Sequence, residues 1–164
     1  MKLTEEYKQN HLLAIDLGTG YIKHASIHQP RPRITENRGV IPRLSPVARK
    51  IWGVNKQVVV GPELTQYLTT RKELRKILIR PMRSGVVPTQ SLNSKEWRVL
   101  KALLEYCITT EPKPRTRLIG KDFWGWYVIV ALPIVSPRRM MENIFRCLQA
   151  VSYTHLTLPT TERV

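Results

Sequence analysis

The sequence predicts an α/β fold, and three observations carry the prediction. His11 to Ile27, HLLAIDLGTGYIKHASI, sets an apolar run, a Gly18-Thr19-Gly20 turn and an alternating run in series, the pattern of an antiparallel hairpin. Trp126 to Leu132, WYVIVAL, is almost wholly apolar, as expected of a strand covered on both faces. Between and after these, apolar residues recur at helical spacing. With 164 residues, 42% of them apolar, the chain has room for one modest domain with a real core and is not a disordered polymer.

Each element has a local reason. Met1 to Asn10 is a charged leader without the apolar region of a signal peptide. Leu12 to Ile15 reads as a buried strand and Tyr21 to Ile27 as its alternating partner. A third strand begins at Arg33-Ile34-Thr35-Glu36-Asn37, after Pro30 and Pro32. Asn37 to Arg43 reads as a turn and an extended segment, because Pro42 and Pro46 oppose helix. Gln57 to Val60 is a short β-branched strand closed by Gly61-Pro62. Glu63 to Ile79 suits one helix, striped by Leu64, Leu68, Leu74, Ile77 and Leu78. Gly85 permits a turn, after which Val86-Val87 restart an extended segment.

Asn93, with Glu96 three residues on, matches a capping box at the head of a helix. Trp97, Leu100, Leu103, Leu104, Cys107 and Ile108 form its apolar face. Glu111 to Lys121 reads as a Pro-bearing basic loop. Pro133 ends the WYVIVAL strand. Ser136 caps the last helix with Pro137 at its first position, and Met140, Met141, Ile144, Phe145 and Leu148 supply the buried stripe.

The chemistry lies at the first turn. Gly18 and Gly20 lack Cβ atoms and let backbone N–H groups converge on an anion. Thr19 adds a hydroxyl donor. Asp16, ending the first strand, sits where a carboxylate can hold the water shell of a Mg²⁺ ion bridging phosphates. Lys23, on the returning strand, can reach back as a point charge. A polar turn of a plain hairpin would need only the glycines; Asp before and Lys after favour phosphate binding.

DLGTGYIK resembles the first phosphate motif of the actin superfamily, which includes actins, archaeal actin-like proteins and MreB, and also heat-shock chaperone ATPases and sugar kinases. Ile79-Arg80-Pro81-Met82-Arg83-Ser84-Gly85-Val86-Val87 resembles the segment in MreB and archaeal actin-like proteins that returns from a small subdomain to the core. Ser84 stands where MreB commonly has an acidic residue. The strand, Pro, Ser-Pro, helix order after Trp126 is similar to a core unit of the same proteins.

The resemblance implies a ribonuclease-H-like actin ATPase fold, here an incomplete N-terminal domain. It has a mixed sheet flanked by helices, an extent of about 11–150 and a small inserted subdomain at about 38–80. It implies an ATP-binding cytoskeletal filament protein that assembles with itself and, when complete, hydrolyses ATP, with another ATPase of the same fold, of the sugar kinase or heat-shock chaperone type, as the alternative. Asp16 would organise Mg²⁺; Gly18, Thr19, Gly20 and Tyr21 would donate to phosphate from backbone or hydroxyl; Lys23 would contact phosphate. The water-positioning residue, a second phosphate motif and the adenosine pocket lie further on in such proteins, so the present chain is expected to bind nucleotide weakly and hydrolyse little. Val151 to Val164, which contains SYTHLTLPT, resembles translated sequencing adapter and is expected to be a non-native tail.

Composition bounds the alternatives. Lys and Arg outnumber acids 27 to 12, for a formal charge of +15, enough to attract nucleic acid or an anionic membrane surface. The cations fall in separate groups, around Arg31 to Arg43, Arg71 to Arg83 and Lys113 to Lys121, without a nucleic-acid-binding signature. Solvated basic faces are the favoured reading, with a basic nucleic-acid or anionic-lipid module as the alternative. No apolar run is long enough to span a membrane. Cys107 and Cys147 are unpatterned and read as small buried packing residues without a disulfide partner. These features imply a cytoplasmic protein.

Overall fold

The structure, a computed structural model, describes residues 11–47, 50, 56–82, 94–112, 116–118, 121–123, 126–132 and 138–151. The chain begins with strands β1 (Leu12–Leu17), β2 (Tyr21–Ser26) and β3 (Gln29–Glu36), then the short strands β4 (Gly39–Val40) and β5 (Val59–Val60). Helix α1 (Gly61–Thr70) and a 3₁₀ helix at Lys72–Ile77 follow, then helix α2 (Lys95–Thr110). A small hairpin of β6 (Thr116–Leu118) and β7 (Lys121–Phe123) leads to β8 (Tyr127–Ala131) and helix α3 (Arg138–Val151).

The central sheet has the order β3-β2-β1-β8. β1 pairs antiparallel with β2, β2 antiparallel with β3, and β8 runs parallel to β1. This is the expected mixed sheet, a hairpin extended by a parallel strand. Parallel pairing demands a crossover, and everything from β4 to β7 lies within that connection.

Strand alternation decides which side is covered. Leu13, Ile15 and Leu17 on β1, Ile22 on β2 and Val128 on β8 are buried, and α2 and α3 cover them with Val99, Leu100, Leu103, Leu104, Met140, Ile144 and Leu148. Each Leu or Ile buried in this way contributes about 1.5–3 kcal/mol. Cys107 and Cys147 belong to the same core, as packing residues with free thiols. Burial pushes both thiols up to about 12, so neither is a ready nucleophile.

Several expectations need correction. β8 is covered on one face only: Ile129 is 36% exposed and Ala131 is exposed, because among the described residues both helices pack on the same side of the sheet. The helix expected over 63–79 is broken at Arg71, whose φ of −136° and ψ of 83° are not helical. The Thr69 and Thr70 hydroxyls bond carbonyls of Gln66 and Tyr67 just before the break, the local competition that weakens a helix end. Ile77, assigned to the apolar stripe, is exposed. In α3, Met141 and Phe145 are half-buried, and Cys147 and Asn143 occupy the core instead. The loop expected over 111–121 contains β6 and part of β7. The turn and extended segment read at Gly85 to Val87, and the Ser136-Pro137 cap, lie outside the described residues.

A second, smaller apolar cluster joins Val40, Val59, Leu64 and Leu68. It is tied to the main body where Gly39 and Ile79 exchange two backbone hydrogen bonds of 2.9 Å.

The cap of α2 is Ser94, whose Oγ accepts from the Trp97 N–H at 3.2 Å; the expected cap, Asn93, lies outside the described residues. Ser94→Ala should cost about 1 kcal/mol, read as a lower urea midpoint with unchanged slope. A midpoint equal to the parent would show that the cap does not support α2.

Candidate functional site

The turn between β1 and β2 brings the expected site residues together. Asp16 and Lys23 are direct cross-strand partners. Their charged atoms lie 3.9 Å apart, and both side chains are 56% exposed. Burial alternation sends them to the sheet face that the helices leave open, while their neighbours Leu17 and Ile22 point into the core. Tyr21 is on the same open face, 56% exposed. An anion arriving there meets Lys23 with its charge only loosely committed to Asp16, since an exposed pair of this length is weak.

Gly18, Thr19 and Gly20 close the turn, with the Gly18 N–H donating to the Tyr21 carbonyl at 3.1 Å. Neither glycine adopts positive φ; among the described glycines only Gly61 does, at 66°. The two glycines serve close approach. A Cβ on Gly18 would fall 2.8 Å from the Tyr21 carbonyl oxygen, whereas a Cβ on Gly20 would meet nothing within 4 Å. Open space beyond Gly20 fits a ligand lying against backbone. Gly18→Ala should therefore distort the empty turn, and Gly20→Ala should leave it folded. Amide chemical shifts of Thr19 to Tyr21 check this: the first variant moves them widely, the second only locally. The opposite pattern would contradict the close-approach account.

Sequence reasoning missed Asn37 as part of this site. Asn37 is buried, donates its side-chain Nδ2–H to the Gly18 carbonyl at 2.6 Å, and donates its backbone N–H to the Gly20 carbonyl at 2.9 Å. It pins both glycines from the side of β3. Among the described residues its Oδ1 has no hydrogen-bond partner. In the sequence it looked like a turn residue, and nothing local marks which carbonyls it reaches.

A second missed group lies on the buried face. His24 Nδ1 is 2.8 Å from Glu111 Oε1, and the Ser26 hydroxyl donates to Glu111 Oε2 at 2.7 Å. Both ionisable side chains are fully buried. Glu111 caps the C-terminal end of α2, and Arg33 of β3 donates to the Thr110 carbonyl there at 2.5 Å. A cation at a helix C-terminus satisfies an orphan carbonyl and complements the dipole. Burial pulls the His24 pKa below its ordinary 6.5, outweighing the hydrogen bond and charge of Glu111. The neutral ring with Nδ1–H facing the carboxylate fits that shift, and among the described residues Nε2 has no hydrogen-bond partner.

A cavity of about 780 Å³ is away from the turn, lined by residues such as Val40, Leu44, Leu64 and Leu78. A smaller one of about 300 Å³ touches the turn at Thr19, Gly20 and Tyr21. No cluster of metal-ligating side chains occurs among the described residues. A single carboxylate such as Asp16 is suited to holding an ion through water and not to building a protein-only cage.

The chain superposes on the MamK double helical filament with a TM-score of 0.64, at 20% identity, over 90% of this chain and 40% of that one. The fold is actin-like. A non-polymerising MamK mutant bound to AMPPNP gives a TM-score of 0.61 at 19% identity, over 92% of this chain and 41% of that one. No family model matches the sequence. The chain thus spans about 40% of the length of the actin-like structures it resembles.

Proposed function

We propose that this chain is the N-terminal, phosphate-binding part of an actin-like cytoskeletal ATPase that assembles with itself into filaments. The observation that carries the reading is the pairing of Asp16 and Lys23 across the Gly18-Thr19-Gly20 turn on an open sheet face. Support comes from the likeness to MamK, one structure of which is a filament and another an AMPPNP complex.

The ligand is ATP with Mg²⁺. The Thr19 hydroxyl and the turn N–H groups donate to its phosphate oxygens, Lys23 neutralises phosphate charge, and Asp16 orients the ion's water shell. Gly20, with open space where a Cβ would stand, lets phosphate approach the backbone. The Mg²⁺ ion would supply charge neutralisation between adjacent phosphates. Among the described residues no helix is long and apolar enough to cross a membrane, and a cytoplasmic location is part of the proposal. The inserted subdomain at about 38–80, the native domain at about 11–150 and the non-native tail at 151–164 belong to it as well.

Thermal melting of this chain with MgATP tests the reading. At matched ionic strength MgATP should raise the midpoint in a concentration-dependent way, and MgAMP should do so much less. If heparin or poly-anionic vesicles stabilise the chain and MgATP does not, the basic binding module replaces the nucleotide site.

A further inference from the structure

The cavity beside the turn brings in a residue that the nucleotide reading leaves unused. Its lining joins Thr19, Gly20 and Tyr21 to Asn37, Arg38 and Arg80. A chain of backbone hydrogen bonds sets this arrangement. The Gly20 carbonyl holds the Asn37 N–H, and two residues later Gly39 pairs with Ile79 in antiparallel register. Arg38 and Arg80 each neighbour that bridge in the chain, and both line the cavity.

Two guanidinium groups lining one cavity repel. Arg38 is compensated, because Glu36 pairs with it through a 2.6 Å Nε–H···O bond. Arg80 is exposed and, among the described residues, has no carboxylate partner. The cavity therefore holds two cations, Arg38 and Arg80, and one anion, Glu36, beside a turn rich in backbone N–H groups. Its surplus positive charge and guanidinium forks suit a tetrahedral dianion.

We propose that Arg80, with Thr19, Gly20 and Arg38, forms a phosphate site on the β3 side of the turn, taking inorganic phosphate or a terminal phosphoryl group. The proposal rests on the nucleotide reading and deepens it. Arg80 shares the cavity that Thr19, Gly20 and Tyr21 line, while Lys23 lies on the open sheet face. Asn37, which bonds both glycine carbonyls, is the positioning residue between the two. The Ile79-Arg80-Pro81 segment thereby gains a ligand role in addition to its place in the chain.

The test is titration calorimetry of the full chain with inorganic phosphate and, separately, with MgAMPPNP, paired with melting curves in phosphate-free buffer. Arg80→Ala should weaken phosphate binding by about tenfold or more, the scale of a lost charge-assisted bond, with Arg80→Lys intermediate because it keeps charge but not the fork. In phosphate-free buffer Arg80→Ala should melt no lower than the parent, and added phosphate should stabilise it less. Phosphate binding that survives saturation with MgAMPPNP identifies a free-phosphate site. Competition between the two identifies the terminal phosphoryl group, and either result supports the assignment. If Arg80→Ala binds both ligands like the parent while Lys23→Ala loses MgAMPPNP, the Arg80 site is wrong and the nucleotide reading stands. If the parent binds neither ligand, both fall together.

Discussion

Lys23→Ala should weaken MgATP binding by about 10- to 100-fold, the scale of one charge-assisted hydrogen bond to phosphate. Lys23 is the cation on the open sheet face beside the turn, and its present partner, Asp16, is 3.9 Å away and exposed. Little stability is at stake, so the variant should melt near the parent while losing affinity. Asp16→Asn should preserve the fold and reduce the Mg²⁺ dependence of binding, because it removes the carboxylate that orders the ion's water. The decisive measurement is a calorimetric titration of both variants at matched salt. Unchanged affinity in Lys23→Ala together with unchanged Mg²⁺ dependence in Asp16→Asn would remove the site from this turn.

Glu111→Ala should destabilise the chain by about 2–4 kcal/mol, because truncating one partner strands buried polar groups without hydrogen bonds. His24 and Ser26 both direct their polar atoms at this carboxylate, and neither Glu111 nor His24 reaches solvent. The loss should appear as a lower urea midpoint. A shift below about 0.5 kcal/mol, the usual size for an unconnected surface position, would show that the network does not hold α2 to the sheet.

The same network sets an acid limit. His24 has a folded-state pKa below 6.5 because burial disfavours the imidazolium. The unfolded chain then takes up a proton near pH 6.5 that the folded chain refuses. Stability from this group is fully present above about pH 6.5 and declines as pH falls toward the folded-state pKa. Stability curves at pH 7.5 and 5.5 should converge in His24→Gln relative to the parent. The charged groups facing His24 are Glu111 at the end of α2 and Arg33 on β3, with Tyr106 of α2 edge-on to the ring at 6.4 Å. Arg33 opposes protonation and Glu111 favours it, so burial decides the sign.

Much of the fold was legible locally. Alternation in HLLAIDL and YIKHAS marks which residues face the core, and a one-residue slip would reverse every side chain. The Asp16–Lys23 pairing depends on the register that the hairpin adopts, Leu17 opposite Ile22 across Gly18 to Tyr21, since Asp16 stands two residues before Gly18 and Lys23 three after Gly20. Helical spacing in Leu100, Leu103, Leu104 and Cys107 likewise marks the buried face of α2. These are short-range properties, written in residues that are neighbours in the chain.

What only the tertiary structure decided depends on contacts between residues far apart. WYVIVAL reads as a strand covered twice, yet its cover depends on where helices pack, and both pack on one face. Glu111 sits at the end of a helix and start of a basic loop, and only the meeting of α2 with β2 turns it into the buried partner of His24. Asn37 looks like a turn former until β3 brings its amide to Gly18. Arg80 belongs to a segment with no evident chemistry until the Gly39–Ile79 bridge carries it beside Thr19 and Gly20. By itself the sequence determined the strands of the β1–β2 hairpin, strand β8, the amphipathic helices α2 and α3 and the tight Gly18-Thr19-Gly20 turn, because periodicity and turn chemistry are local. The burial of His24 and Glu111, the support behind the turn and the second cation beside it were decided by long-range packing, which no window of sequence contains.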